Sequence, residues 1–559
     1  MIVVAEKPSV ARAIMRVVRP DAEVIALSGH LLELDFHEKY SNWRSIDPAE
    51  LFHAETRWII RDKKAYNSLL KALRASGDPI IFATDNDHEG ELIAYEAMLA
   101  AKKVLSKPNY MRMRFNTVAE KELRKAWSSL ESDLNWGWVE KALFRHKFDL
   151  IIGAAYTRLL TLTARKNGFA VKLVSYGSCQ TPTLWFVYAR DMEIRNFKPE
   201  IYYVIWAVLD DRGTKVKVST VPIRDRNEAE KLYRIAKDAK NALVKEYTLK
   251  VEEEQKPLPT DTDTMLQELT KILAVSGNRI MASAEDLYAE GFISYPRTET
   301  NMWIRVNHQE ILEMLSGTPL SKFIVPQELN AVDGRKNDGA HPPIHPIKPY
   351  LAGDLKGKIW EYIARRYLAN VMGQNAVFER WKLSVELDGV PMETSSKYFI
   401  HEGFYEVFPY FRPKDLLWIP ELKKGQTLPV LEVQIDEKKT KPPPHLTESE
   451  LLRLMEKNGI GTDATRHIFP SLIVERGYAF KKRKSFVITS HGEALINLLK
   501  SVDERLVTPE TRRFVERMMV EVEARRISLE EALSKSLKVY EALYTELSEH
   551  VQKAWPKPA

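Results

Sequence analysis

Ile80-Ile81-Phe82-Ala83-Thr84-Asp85-Asn86-Asp87-His88-Glu89-Gly90-Glu91 is the stretch on which the fold turns. Its four apolar residues read as a buried strand. A helical pattern runs on from Leu92 to Val104. A strand feeding directly into a helix is half of a βαβ unit. Asp85 and Asp87 lie two apart at the strand's end and can share a face. Glu89 follows on the turn, and Gly90 permits close backbone approach. Four acids crowded behind a buried strand repel one another unless a cation is present. Hard oxygen ligands in that position suit Mg²⁺. The structural alternative is an acidic helix start that satisfies the helix dipole.

Working outward, Ile2–Ala5 reads as a second buried strand, ending in Glu6-Lys7 and followed by a helix start at Pro8. Met111–Phe115 is strand-like, and Val118–Trp127 is an amphipathic helix. Strands alternating with helices predict a parallel sheet covered on both faces, with its site at the carboxyl ends of the strands. If the first strand neighbours the Asp85 strand, Glu6 joins the carboxylates and Lys7 adds a phosphate contact. A carboxyl crowded by carboxylates has a raised pKa and can act as a general acid.

The chain has 559 residues, 44% of them hydrophobic and 29% charged, with a net charge of +6. That is a globular composition with room for several domains, and its mild basicity is compatible with nucleic acid. Cys179 is the single cysteine, so neither a disulfide framework nor a cysteine zinc site can form within the chain. No apolar run approaches a membrane span, and no signal-peptide pattern precedes the first strand, so a cytoplasmic protein is expected.

Residues 140–195 read as helical and basic. Ile201–Leu209 and Lys215–Val221 look like β-strands around Asp210-Asp211-Arg212-Gly213, and β-rich sequence returns at Trp381–Leu387 and Tyr398–Phe411. A mostly helical block lies between, which predicts one discontinuous β domain with a helical domain at its far end. That block carries Gly291-Phe292-Ile293-Ser294-Tyr295-Pro296-Arg297-Thr298-Glu299. We read it as a short strand that presents Tyr295 and Arg297 on one face, able to address one phosphate together. A buried tyrosine beside a surface arginine is the structural alternative. After the stiff Pro442-Pro443-Pro444 segment, Leu451–Phe480 reads as helix, glycine turn, a second helix from Thr462, then a basic hairpin at Lys481–Lys484. This is a winged-helix pattern. Leu266–Tyr295 repeats its first part, although two unrelated helical hairpins would read alike.

Together these segments resemble the type IA DNA topoisomerases, on the topoisomerase III side in its archaeal form. Glu6-Lys7-Pro8-Ser9 and Asp85-x-Asp87-x-Glu89 resemble the Toprim metal-binding motifs. Ser294-Tyr295-Pro296-Arg297-Thr298-Glu299 resembles the segment with the active-site tyrosine. Arg112 with Phe115-Asn116, Arg145-x-x-x-Asp149, Ser175 to Leu184, Ala340-His341-Pro342-Pro343-Ile344 and Gly459 to Thr465 follow in the family's order. Ser178 and Leu150 stand where many relatives carry arginine.

The resemblance implies a multidomain α/β plus α+β architecture. It has an N-terminal doubly wound Toprim sheet, winged-helix-like domains and a discontinuous β-rich arch closing a toroid. The expected domains are 1–144 for Toprim, 145–198 with 431–559 for a DNA-binding helical and winged-helix domain, 199–255 with 379–430 for the arch, and 256–378 for the tyrosine domain. It implies catalysis by Tyr295, Arg297, Glu6 and Lys7, and Mg²⁺ on Asp85, Asp87, Glu89 and Glu6. DNA contacts are implied at Arg145, Asp149, Gln180, His341, Thr465 and Arg112. It further implies ATP-independent cleavage of single-stranded DNA through a 5′-phosphotyrosine, strand passage and religation, by a nucleoid-associated monomer with a helicase as candidate partner. A Toprim-type nuclease, a reverse-gyrase module and a non-catalytic scaffold are the competing readings.

Overall fold

The computed structural model describes residues 1–18, 22–76, 79–325 and 329–554. Its N-terminal sheet has four parallel strands in the order Glu23–Ala26, Ile2–Ala5, Ile80–Ala83, Tyr110–Arg112. The two apolar runs explain why this sheet is buried on both faces. Ile2, Val4, Ile80 and Phe82 enter one core with the helices Lys63–Ser76 and His88–Ala101. Val3, Ala5, Ile81 and Ala83 alternate into another. That second core is shared with the tyrosine-bearing block through Ile280, Leu287, Ile293 and Tyr295. The strands are in step, Ala5 level with Ala83, so Glu6 and Asp85 leave the sheet side by side.

The 31-residue helix Trp136–Lys166 and the helix Gln180–Asn196 pack with C-terminal helices Glu510–Glu523 and Leu529–Ala554 around a third core. In the C-terminal winged unit, helix Glu448–Lys457 is capped by Thr447 and Glu450. The second helix starts at Phe469 rather than at Thr462, because a 3₁₀ turn, Arg466–Ile468, intervenes. The hairpin Ala479–Lys482/Ser485–Ile488 is the basic wing. The earlier repeat, Thr262–Leu273 and Gly277–Ala289, keeps the two helices but not the wing. Gly291–Glu299 is not a strand: Ile293 makes one isolated bridge to Pro346, and the backbone then bends through Tyr295.

The β segments on either side of the block form one closed six-stranded barrel. Three strands precede the block, Ile201–Asp211, Thr214–Ser219 and Asn241–Glu254; three follow it, Ala376–Leu387, Val390–His401 and Thr427–Lys439. Closure leaves no exposed sheet edge. The block then returns to the N-terminal and winged units. Gly277 N donates to Glu448 at 2.6 Å, Gln267 and Lys336 reach Glu456 at 2.8 Å each, and Arg466 pairs with Asp263. The chain thus runs base, barrel, block and back to base, with its last joint non-covalent.

Candidate active site

The acids and Lys7 emerge from two adjacent strand ends. Asp85 N donates to Glu6 Oε2 at 3.0 Å, and Lys7 Nζ donates to Asp85 Oδ2 at 3.1 Å. Asp87 caps the helix His88–Ala101, its Oδ1 accepting from Gly90 N at 2.7 Å. Gly90 is required by space: a Cβ there would stand 2.0 Å from the Asp85 carbonyl oxygen. The other Asp87 oxygen accepts from Tyr295 Oη at 2.6 Å, across 208 residues of sequence. Tyr288 Oη donates to Asp85 Oδ1 at 3.2 Å and lays its ring edge-on to Tyr295, centroids 5.0 Å apart. Arg297 pairs with Glu285 on the preceding helix.

Burial dominates the proton equilibria here, and the neighbours set their direction. Burial, then Asp85, pushes Glu6 up to about 8. Burial of Lys7 opposes its charge, but Asp85 and Glu6 outweigh it and hold the ammonium charged. Burial of Tyr295, with Asp87 and Asp85 beside it, raises the phenol well above its ordinary range; Arg297 only partly offsets them. Tyr295 is therefore a protonated donor in this state.

The residues in the sequence 133–534 match the DNA topoisomerase family, and residues 1–118 match the Toprim domain. The chain belongs to the type IA DNA topoisomerases. It is 33% identical over 528 residues to DNA topoisomerase 1 of Thermoplasma acidophilum, covering 92% of this chain and 66% of the relative. It is 34% identical over 500 residues to DNA topoisomerase 1 of Archaeoglobus fulgidus, covering 88% and 73%. It is 30% identical over 593 residues to human DNA topoisomerase 3-beta-1, covering 97% and 68%. The chain thus spans about two thirds of the length of these relatives. Its fold matches full-length topoisomerase I from Thermotoga maritima with a TM-score of 0.79 at 23% identity, over 98% of this chain and 90% of that one.

In this topoisomerase several residues stand elsewhere than their motifs suggest. Arg112, expected at DNA, is 0% exposed. Its Nε donates to Glu91 Oε1 at 2.6 Å and its Nη atoms donate to the carbonyls of Phe82, Thr84, Asp85 and Met113. It splints the acid loop from inside because only a guanidinium can serve so many carbonyls at once. Glu89 is turned from the other acids: Arg145, His30 and His146 approach its carboxylate at 2.8, 3.2 and 3.0 Å. Burial opposes its charge, but Arg145, His146 and His30 hold it well below the usual carboxylate range. Arg145 is thereby engaged by Glu89. Gln180 is buried and donates to Ser175 Oγ at 3.1 Å.

Thr465 is half-buried, and its hydroxyl accepts from Thr462 N at 3.2 Å. Asp149 is exposed and accepts from Ser178 Oγ at 3.2 Å, at the position where the family resemblance led us to expect arginine. A buried guanidinium comes instead from far along the chain: Arg512 Nη1 lies 2.9 Å from Asp149 Oδ1 and 2.8 Å from Ser178 Oγ. His341 is buried beside the tyrosine, ring centroids 5.1 Å apart. Tyr288, Glu285, His30, His146 and Arg512 carry no local motif; their roles come from which helices pack together.

Among the described residues His30, Glu89 and His146 bring three metal-capable atoms together, and Glu6, Asp85 and Asp87 supply the hard-oxygen chemistry that Mg²⁺, expected for a Toprim domain, takes. Glu6, Asp85 and Asp87 are buried carboxyls, and burial first, then Asp85, raises Glu6.

Proposed function

We propose that this chain cuts single-stranded DNA by transesterification, holds the 5′-phosphate on Tyr295 and reseals the strand, relaxing negative supercoils or decatenating DNA. The observation that supports it most is the 2.6 Å bond from Tyr295 Oη to Asp87 at the strand-end acids. It joins a nucleophile from the block to acids from the sheet.

Tyr295 Oη attacks the phosphorus; the O–P bond forms as the bond from phosphorus to the 3′ oxygen breaks. Asp87, already accepting from Oη, is the nearest acceptor for the phenol proton. Glu6, protonated up to about pH 8, is the donor to the leaving 3′ oxygen and takes the proton back on resealing. Lys7 and Arg297 bind the phosphate oxygens whose charge grows in the transition state. Asp85 and Asp87, joined by Glu6 once it has given up its proton, would hold Mg²⁺, which would neutralise charge at the phosphate. One phosphoester replaces another, so no ATP is consumed. Strand passage needs the non-covalent joint to part while the adduct persists.

Incubation with end-labelled single-stranded oligonucleotides, followed by denaturing electrophoresis, should yield a protein–DNA adduct through the 5′-phosphate. Nicking without an adduct would favour a Toprim-type nuclease and end this reading.

A pH dependence follows from Glu6. Its folded pKa, about 8, exceeds the ordinary 4.5, so the ion-free fold binds the extra proton. Stability from this group is complete below 4.5 and is lost as pH rises through about 8. Mg²⁺ binding should therefore release a proton below that pH, and affinity should rise by up to about tenfold per pH unit. Titration calorimetry in buffers of different ionisation enthalpy reads the released proton. A heat independent of the buffer would remove Glu6 from the ion's ligands.

A further inference from the structure

We propose that Asp338 is a positioning residue for the Tyr295 reaction: it holds His341 so that the imidazole presents its free nitrogen to the DNA phosphate at Tyr295. The inference rests on the reading of Tyr295 as the nucleophile.

Asp338 lies three residues before His341, on a loop that no motif marks. Its Oδ2 is 3.1 Å from His341 Nδ1. A carboxylate only accepts, so Nδ1 carries the hydrogen and the tautomer is decided by the loop. The same side chain locks the ring's backbone: Oδ1 accepts from Ala340 N at 2.9 Å and from His341 N at 2.8 Å. It also reaches the tyrosine segment, with Oδ2 accepting from Thr298 Oγ1 at 3.0 Å, and Asp338 N donates to Thr300 Oγ1 at 3.0 Å. One carboxylate thus ties the residues just after Arg297 to the histidine loop.

The geometry leaves His341 Nε2 for a ligand. The residue is 4% exposed, and Nε2 is buried with no hydrogen-bond partner. A buried polar nitrogen without a partner is costly and uncommon. The ring stands 5.1 Å from the Tyr295 ring, tilted by 32°. A phosphate within reach of Tyr295 Oη would be a natural partner for Nε2. Burial opposes charge on the ring, but the Asp338 carboxylate outweighs it and favours the imidazolium, in which Nε2 also bears hydrogen and donates to a phosphate oxygen. His341 then adds to the positive lining that Lys7 and Arg297 begin. His345, four residues on, is no substitute: its Nδ1 is engaged by the Pro343 carbonyl at 2.7 Å.

The test is a double-mutant cycle on single-turnover adduct formation with a single-stranded oligonucleotide. Asp338→Asn keeps an acceptor for the backbone but offers an amide donor to Nδ1, which holds the ring neutral and removes the positive charge that the phosphate oxygen would meet at Nε2. Expected losses are about 100-fold for D338N and for H341A. D338N in the H341A background should lose no more than about twofold further, because Asp338 acts through the ring. Asp338→Glu, which keeps the carboxylate, should recover most of the rate, and oligonucleotide affinity should stay within about twofold throughout. Wild-type cleavage by D338N, losses that multiply in the double variant, or a Glu variant no better than Asn would overturn the inference and leave the nucleophile reading intact. An adduct that persists in Tyr295→Phe would fail that reading itself. If D338N melts early, Asp338→Ser with and without H341A carries the same decision: a wild-type rate or a multiplied loss overturns the inference.

Discussion

Tyr295→Phe is expected to abolish the covalent DNA adduct, a loss on the order of 10⁴-fold or more, while the chain stays folded. The reaction needs an oxygen at this position, and the neighbouring Tyr288 Oη stands elsewhere, 3.2 Å from Asp85 Oδ1 rather than at Asp87. The structural cost is small for a definite reason. The ring, 3% exposed, keeps its contact with Tyr288 and His341, and only the bond to Asp87 is lost. Removing one buried hydrogen bond costs about 1–2 kcal/mol, offset in part because the phenol no longer needs a partner. Asp87 keeps Gly90 N and remains the helix cap. Labelled oligonucleotide on a denaturing gel reads the adduct, and a thermal melt reads the fold. A retained adduct would move the nucleophile to another residue; an unfolded variant would contradict the modest cost derived from these contacts.

Arg112→Met is expected to destabilise the N-terminal domain by about 3–5 kcal/mol and to silence cleavage, though Arg112 is wholly buried beneath the acid loop. Glu91, 0% exposed, would lose its 2.6 Å partner in the interior. It would keep Arg114 at 2.8 Å and Asn135 N at 2.8 Å, which cushions but does not cancel the loss. The carbonyls of Phe82, Thr84, Asp85 and Met113 would lose donors at the turn that carries the acids. Lysine should not rescue the site, since an ammonium cannot reproduce the guanidinium fork. Limited proteolysis across residues 80–115 together with adduct yield checks this. A variant that resists protease and cleaves normally would make Arg112 dispensable.

The two largest effects differ in how visible they were beforehand. Tyr295 stands in a motif, and its chemistry follows from residue type and neighbours in sequence. Arg112 also stands in a recognisable segment, yet its role differs from the DNA contact expected there. An arginine at the end of a strand can point into solvent or back beneath the loop of the adjacent strand, and the local sequence is the same in both cases. Glu89 makes the same point: spacing put it with Asp85 and Asp87, but three cationic or titratable side chains from two other segments draw it aside.

The sequence by itself determined the buried parallel sheet, because runs of alternating burial and abrupt acidic ends leave few other solutions. It determined the basic wing and the discontinuous β domain, whose period-2 patterns and turn residues are local signals. It also established the family, through the order of several separate motifs. Only the tertiary structure decided that the β segments close into a barrel, that Gly291–Glu299 lacks a ladder, that Arg512 meets Ser178 and Asp149, and that Asp338 backs His341. The physical reason is the same in each case. Strand and helix patterns are dictated by neighbours a few residues away, whereas a buried charge takes whichever partner long-range packing brings within about 3 Å.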